Sequence, residues 1–393
     1  MFFYISFLRP PPVQAGPYGT ISITPQISND LRTESYTSAQ DLYFSWSLHS
    51  PPHPKGPQTT RPTKFTTYRP SSAYKELPIP VPPGVREGQR WCLIITALPQ
   101  SAGASNLDSV DLSAADVGAS PFPVMSMPIA FIGRGSKGAA KQEMIERTFL
   151  VPCRGDADSE EGGGKEQKML AALTFTEKTS FDLDKKIWDS GIGLSAWLVH
   201  LHENPNAPGS NPRREKLRDA LFAEEPRRIL ELGAGIGMLS IAFAVMRSRP
   251  LSSEKVNDRI IATDIDSAMP LLEENIAANS GYFQSTKPEA KILDWDDEGL
   301  PEDIQALKSF DAIVMADVTY NTASFPSLTH TLSKLARLGP KAPAILLGYK
   351  ERDESERTFW SMMADLGIDF EKIGERAGAG GAPVEIWLGS VRQ

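Results

Sequence analysis

Three groups of residues in this chain have the types and spacing for chemistry. The first is Arg228-Ile-Leu-Glu-Leu-Gly-Ala-Gly-Ile-Gly237, a branched apolar run that stops at Gly233, Gly235 and Gly237. It passes directly into the helix-like Met238-Leu-Ser-Ile-Ala-Phe-Ala-Val-Met246. A buried parallel strand, a glycine turn and a helix in that order let backbone approach a ligand closely at the strand's carboxyl end. The second group is Ile260-Ile-Ala-Thr-Asp264, an apolar run closed by a carboxylate that can accept both hydroxyls of a ribose. Together they indicate a nucleoside-like cofactor. Asp294-Trp295 adds a carboxylate and an aromatic face where an adenine ring would lie. The third group, Ala316-Asp317-Val-Thr-Tyr320, falls on the switch-point side of the same cleft. A carboxylate and a phenol three residues apart suit an aliphatic ammonium, by charge and by ring face.

Each of these residues also has a plainer use. A glycine turn can be a tight turn with no ligand, and a buried tryptophan is often simply core. Asp264 could cap a helix, although Asp266 and Ser267 are better placed for that. Asp317 could cap the turn between strand and helix. Lys185-Lys-Ile-Trp-Asp-Ser-Gly191 reads as a helix entry, with Asp189 or Ser190 as N-cap and Trp188 as staple. His200 and His202 alternate near a helix end with no further ligand, so no metal site is expected. A nicotinamide dinucleotide is disfavoured, because its Gly-x-Gly-x-x-Gly fingerprint needs glycine where Met238 stands.

From about residue 181 to 393 helices and strands alternate, the signature of a mostly parallel sheet. After the glycine strand, further strands are expected at 259–263, 290–295, 311–316, 344–348, 370–374 and 384–388. Helices are expected at 190–202, 270–279, 325–338 and 354–366. The last two strands leave no room for a crossover helix and should form an antiparallel hairpin. The fold class is therefore α/β: a doubly wound, seven-stranded, mostly parallel sheet closed by a hairpin, preceded by a β-rich N-terminal extension.

Residues 1–88 carry close to half of the 32 prolines and read as an extended or poorly ordered leader, although Leu42-Tyr-Phe-Ser-Trp46 could dock on something. Residues 89–180 are β-rich, with strands expected at 91–97, 124–131, 146–151 and 170–175 and a hydrophilic loop at 154–165. A formal net charge of −8 argues against a general polyanion binder, so no nucleic acid is expected. Two cysteines make no disulfide framework, and no stretch is long enough to span a membrane. The apolar Met1–Leu8 is short and lacks a basic leader, so it does not read as a secretory signal. The expected location is the cytoplasm or the nucleus.

The spacing Glu-x-Gly-x-Gly-x-Gly resembles motif I of the class I S-adenosylmethionine-dependent methyltransferases. Taken in order, Ile187-Trp-Asp-Ser-Gly191, Leu230-Glu-Leu-Gly-Ala-Gly235, Thr263-Asp264, Leu293-Asp-Trp295 and Ala316-Asp-Val-Thr-Tyr320 resemble the seven-β-strand protein lysine methyltransferases. The resemblance covers about residues 170–393. It implies that Trp188, Gly233, Ala234, Gly235, Gly237, Asp264, Trp295 and Ala316 bind S-adenosylmethionine. It also implies that Asp317 and Tyr320 shape a lysine channel, and that the chain acts as a monomer on a protein substrate carrying the target lysine. Amino-group methyltransferases acting on DNA place two prolines after the strand-four acid, and this chain lacks both. Its departures from the lysine family are the polar loop at 247–256 and the large N-terminal extension. A small-molecule N-methyltransferase and a binding module that has lost chemistry remain as alternatives.

Overall fold

The computed structural model describes residues 1–52, 58–99, 108–133, 140–153, 169–204, 212–248 and 258–392. The carboxy-terminal half holds a seven-stranded sheet of β1 (Arg228–Leu232), β2 (Arg259–Asp264), β3 (Pro288–Ile292), β4 (Ala312–Ala316), β5 (Ala344–Tyr349), β6 (Ile368–Arg376) and β7 (Val384–Val391). Its order is β3-β2-β1-β4-β5-β7-β6. The first five strands run parallel, and β7 enters antiparallel between β5 and β6, as the short final connection requires. The central strands are branched and apolar because both faces are covered. The third strand ends at Ile292, so Asp294 and Trp295 lie in the loop beyond its carboxyl end.

Helices α1 (Asp189–Glu203), α2 (Pro212–Phe222), α3 (Met238–Arg247) and α4 (Met269–Ala278) share one core with one face of the sheet. After the single-turn α5 (Glu302–Gln305), helices α6 (Phe325–Ala336) and α7 (Thr358–Asp365) cover the other face. The sequence signalled α2 poorly, because only Leu217 and Leu221 of its eleven residues are buried. In α3 all ten residues are buried. A helix that is apolar all round must be covered all round, and the cover comes from the N-terminal half. Phe149, Val151, Leu173 and Phe175, on strands Met144–Cys153 and Met169–Lys178, join the α3 and α4 residues in one cluster.

The described residues of 1–88 form sheets rather than a poorly ordered leader. Strands Tyr4–Arg9, Thr20–Ser28 and Leu77–Pro80 form a three-stranded sheet, while Gln40–Ser50 and Thr63–Tyr68 join a nine-stranded sheet. The prolines stand where a sheet tolerates a missing donor. Pro78 and Pro80 are on an edge strand, and Pro25 pairs with Phe7 beside a register shift. Pro128 likewise divides the strand expected at 124–131 into Val124–Ser126 and Ile129–Phe131. Alternation along the first strand explains its order. Phe3, Ile5 and Phe7 enter a core of the N-terminal sheets with Trp46 and Tyr68, whereas Phe2 and Tyr4 enter the core around α1 and α3. The loop expected at 154–165 and residues 249–256 of the polar loop lie outside the described residues. Arg247 and Asp258, which bracket the latter, form a buried bidentate pair at 2.7 and 3.0 Å.

Two asparagines join the halves of the molecule. Met169–Lys178 ends the nine-stranded sheet and would leave a row of unpaired backbone groups. On α4, Asn275 accepts from the Thr176 N–H at 2.8 Å and donates to its carbonyl at 3.2 Å. Asn279, one turn on, does the same at Thr174, at 3.0 and 2.9 Å. Replacing either asparagine with alanine orphans a buried donor and acceptor. Each change should destabilise the chain by about 1–3 kcal/mol, read from urea unfolding, and an unchanged midpoint would refute the amide ladder.

Glu231 ties β1 to α3 by accepting from the Ser240 N–H at 3.0 Å and from the Ser240 hydroxyl. Burial pushes its pKa from 4.5 up to about 8, against the lowering effect of the Ser240 bonds. The folded carboxyl thus keeps its proton where the unfolded one loses it. The folded state binds more protons across that window, so stability should fall as pH rises from 4.5 through about 8. Glu231→Gln, which cannot ionise, should flatten that slope when unfolding is compared at about pH 5 and about pH 8. Parallel pH profiles for the two proteins would show that Glu231 does not titrate in this way.

Candidate functional site

The sheet order reverses between β1 and β4, and a cavity of about 500 Å³ opens there at the carboxyl ends of the strands. Eight of the ten residues singled out from sequence line it: Trp188, Gly233, Gly235, Asp264, Trp295, Ala316, Asp317 and Tyr320. Ala234 and Gly237 do not. Ala234 is buried, and its N–H donates to the Thr263 carbonyl at 2.9 Å. Gly237 is the N-cap of α3, where a Cβ would come within 2.6 Å of Leu272. These two shape the turn from behind.

Gly233, Gly235 and Gly237 all have left-handed backbone, at φ of +68°, +52° and +89°. Gly233 is also sterically required, since a Cβ there would lie 2.7 Å from Val318 and 3.4 Å from Trp295. The Gly235 N–H donates to Asp264 Oδ2 at 2.7 Å, and the Ile265 N–H donates to Oδ1 at 2.8 Å. Burial raises the Asp264 pKa and these two donors oppose the rise. A carboxylate has about four acceptor positions, so Asp264 retains capacity for two further donors. Trp295 is half-buried, packing on the core below and lining the cavity above.

Opposite these groups stands Tyr320, 50% exposed. Burial, with Asp264, Asp184 and Asp317 nearby, raises its pKa and keeps the phenol protonated. Asp317 is not a free carboxylate. It sits at φ +56°, a conformation uncommon for any residue but glycine. Its Oδ2 accepts from the Ser190 N–H at 2.7 Å, and its Oδ1 from Arg352 Nη2 at 2.6 Å. Asp317 therefore caps α1, a helix distant in sequence, rather than its own turn. Trp188 is the N-cap residue of α1 and donates from its indole to the Leu183 carbonyl at 2.8 Å. The Arg352 guanidinium lies 5.2 Å from the centre of the Trp188 ring.

Several groups escaped sequence reasoning. Asp182, Asp184, Asp294 and Asp296 add to Asp264 and Asp317, so the described lining holds six carboxylates and no Lys or Arg. Phe181, Leu183 and Ile265 supply exposed apolar surface at the mouth beside Tyr320. Arg352 and Lys350 follow the apolar β5, and charges just past a strand's carboxyl end are a signal that could have been read. Asp30 carried no such signal, since its partner Arg352 is 322 residues away. The two histidines are accounted for locally: His200 bonds Asn204, and His202 packs on Phe222.

Residues 167–366, half of the chain, match the model of a family described as lysine methyltransferase. A UPF0665 family protein of Schizosaccharomyces pombe is 28% identical over 203 residues, 51% of this chain and 53% of that protein. The protein-lysine N-methyltransferase EFM6 of Saccharomyces cerevisiae is 27% identical over 220 residues, 53% of this chain and 78% of that protein. The protein-lysine methyltransferase METTL21E of Mus musculus is 29% identical over 150 residues, 37% of this chain and 54% of that protein. The chain thus spans about half the length of the first of these curated relatives. The matched segment runs from the strand beside α4 through α1, the glycine turn and the Asp317–Tyr320 wall to the end of α7, and on that segment the chain belongs to the lysine methyltransferase family.

Proposed function

We propose that this chain is an S-adenosylmethionine-dependent protein-lysine N-methyltransferase. The observation that carries the reading is one cavity with Gly233, Gly235, Asp264 and Trp295 on one side and Asp317 and Tyr320 on the other. The lining suits a cationic cofactor. Arg352, Lys185 and Lys178 pair with Asp317, Asp184 and Asp182, and the remaining lining carboxylates of Asp264, Asp294 and Asp296 favour a sulfonium and would repel a pyrophosphate. A dinucleotide fold also places its phosphates on helix N–H groups, but here the Ser240 N–H is already taken by Glu231. In this reading Gly233 and Gly235 present backbone to the cofactor, Asp264 accepts the ribose hydroxyls, and Trp295 offers its face to the adenine. Trp188 and Ala316 complete the enclosure.

S-adenosylmethionine, when bound, supplies a sulfonium methyl that an amine can accept. A free lysine has a pKa near ~10.4, so the ammonium has to lose a proton to solvent before its amine takes the methyl and leaves S-adenosylhomocysteine. The carboxylates at the mouth attract the ammonium, and the apolar surface of Phe181, Leu183, Ile265 and Tyr320 disfavours its charged form on entry. Tyr320, a protonated phenol, lines the approach and orients the amine. Asp317, already paired with Arg352, fixes the wall and the start of α1 rather than acting as a free base.

The names of EFM6 and METTL21E support a protein acceptor, as does the exposed apolar rim. The acidic lining supports an acceptor that is not nucleic acid. No helix among the described residues is long and apolar enough to cross a membrane. Cys92 and Cys153 are both free, which supports a reducing compartment, the cytoplasm or the nucleus. The reading keeps the chain a monomer.

Incubation with tritiated S-adenosylmethionine and cell extract should label a protein band, and intact-mass and peptide analysis should locate the methyl on lysine. Label confined to small molecules would favour the small-molecule alternative. Calorimetry without S-adenosylhomocysteine binding would favour a non-catalytic module. Asp264→Ala should weaken S-adenosylhomocysteine binding by about 10- to 100-fold through the loss of charged hydrogen bonds. Asp317→Ala should leave that affinity within about threefold yet reduce label incorporation by about 100-fold, the effect of misplaced reacting groups. Wild-type labelling by Asp317→Ala would sink its assignment.

A further inference from the structure

Asp30 lies just beyond strand Thr20–Ser28, far outside the matched segment at 167–366, yet its side chain is fully buried against the functional site. Arg352 grips it with two bonds, Nη1 to Oδ1 at 3.1 Å and Nη2 to Oδ2 at 2.9 Å. That fork geometry fixes the plane of the guanidinium. The same Nη2 holds Asp317 at 2.6 Å, and the guanidinium stands over Trp188 at 5.2 Å. Asp30 also acts on α1 directly, since Oδ2 accepts from the Asp189 N–H at 3.1 Å. The next N–H, of Ser190, goes to Asp317 at 2.7 Å. Two free donors at the start of α1 are therefore satisfied by two carboxylates that share one arginine. Lys350 completes the set, 3.3 Å from Asp30 and 2.7 Å from Asp189. Burial pushes the Asp30 pKa up, but Arg352 and Lys350 outweigh it and hold the carboxyl well below its ordinary range.

The structure assigns Asp30 as a positioning residue for methyl transfer, acting through Arg352 on Asp317 and Trp188, so that the N-terminal β region completes the active site. The assignment rests on the methyltransferase reading above. Without Asp30 the guanidinium loses its fork and is free to rotate away from the Trp188 ring, and the Asp317 wall loses the partner that sets its angle. A misplacement of that kind costs rate more than ground-state affinity.

The test is Asp30→Asn in the full chain, with Arg352→Gln and the double variant, all assayed well below their melting temperatures. Asp30→Asn should bind S-adenosylhomocysteine within about threefold of wild type and keep its KM for S-adenosylmethionine. Its rate of label transfer from tritiated S-adenosylmethionine to extract protein should fall by about 10- to 100-fold. The double variant should be no slower than Arg352→Gln, because the two residues form one unit. A wild-type rate for Asp30→Asn, or losses that add, would overturn the assignment. Should Asp30→Asn not fold, Asp30→Glu keeps the charge but displaces the fork, and it should show the same loss of rate. A second arm needs no turnover. Hydrogen exchange in a peptide covering residues 187–194 should speed by about tenfold or more in Asp30→Asn as the Ser190 cap loosens. If wild type labels nothing, the functional reading has failed, and unchanged exchange would then separately refute the positioning role.

Discussion

Burying ionised groups is costly unless each meets an opposite charge with good geometry, and one connected cluster beside the cavity buries five. Asp30, Asp189 and Asp317 face Lys350 and Arg352, and every one of these side chains is less than a tenth exposed or fully buried. They come from the N-terminal sheet, the start of α1, the end of β4 and the segment after β5. Asp189 accepts from the Phe2 N–H and the Tyr4 hydroxyl besides Lys350, which ties in the first strand. Removing Arg352 strands the Asp317 carboxylate, and removing Lys350 strands that of Asp189. The set fixes where α1 begins, and thereby where Trp188 faces the cavity.

This constraint explains why a catalytic-looking carboxylate is used as a strut. Asp317 stands at the switch point with both oxygens occupied and a left-handed backbone. Uncommon backbone at a functional site persists only when its surroundings over-determine it, and here Ser190, Arg352 and the Asp317 N–H bond to Gly348 do so. In the proposed reading, what remains for an incoming amine is field and shape: carboxylates at the mouth, an apolar rim, and the Tyr320 phenol.

Much of the carboxy-terminal sheet was legible because its signals are contiguous. Glycines end β1, a carboxylate ends β2, and apolar runs alternate with helices, so eight of the residues that line the cavity could be named before any contact was known. Ala234 and Gly237 do not line the cavity, because Ala234 bonds back to Thr263 and Gly237 starts α3 against Leu272, and spacing alone does not say which turn positions face the cleft. Residues 1–88 were misread because a proline count registers lost donors without registering where a sheet has edges, whereas the strands expected between 89 and 180 are present. Nor does any local pattern in residues 25–35 mark Asp30, whose role exists only once Arg352 arrives from the far end of the chain. The apolar girth of α3 was visible in Met238–Met246, but what covers it was not.

That girth bears on where the protein can be cut. A fragment trimmed to the family-matched boundary at residue 167 would keep strand Met169–Lys178 and lose its partner Met144–Cys153, along with Phe149 and Val151. One flank of a wholly buried helix would then meet water, beside a strand that has lost its sheet partner. The recognisable homology segment and the unit with a complete core are different objects in this protein, and a fragment designed on the first exposes apolar surface that the full chain covers.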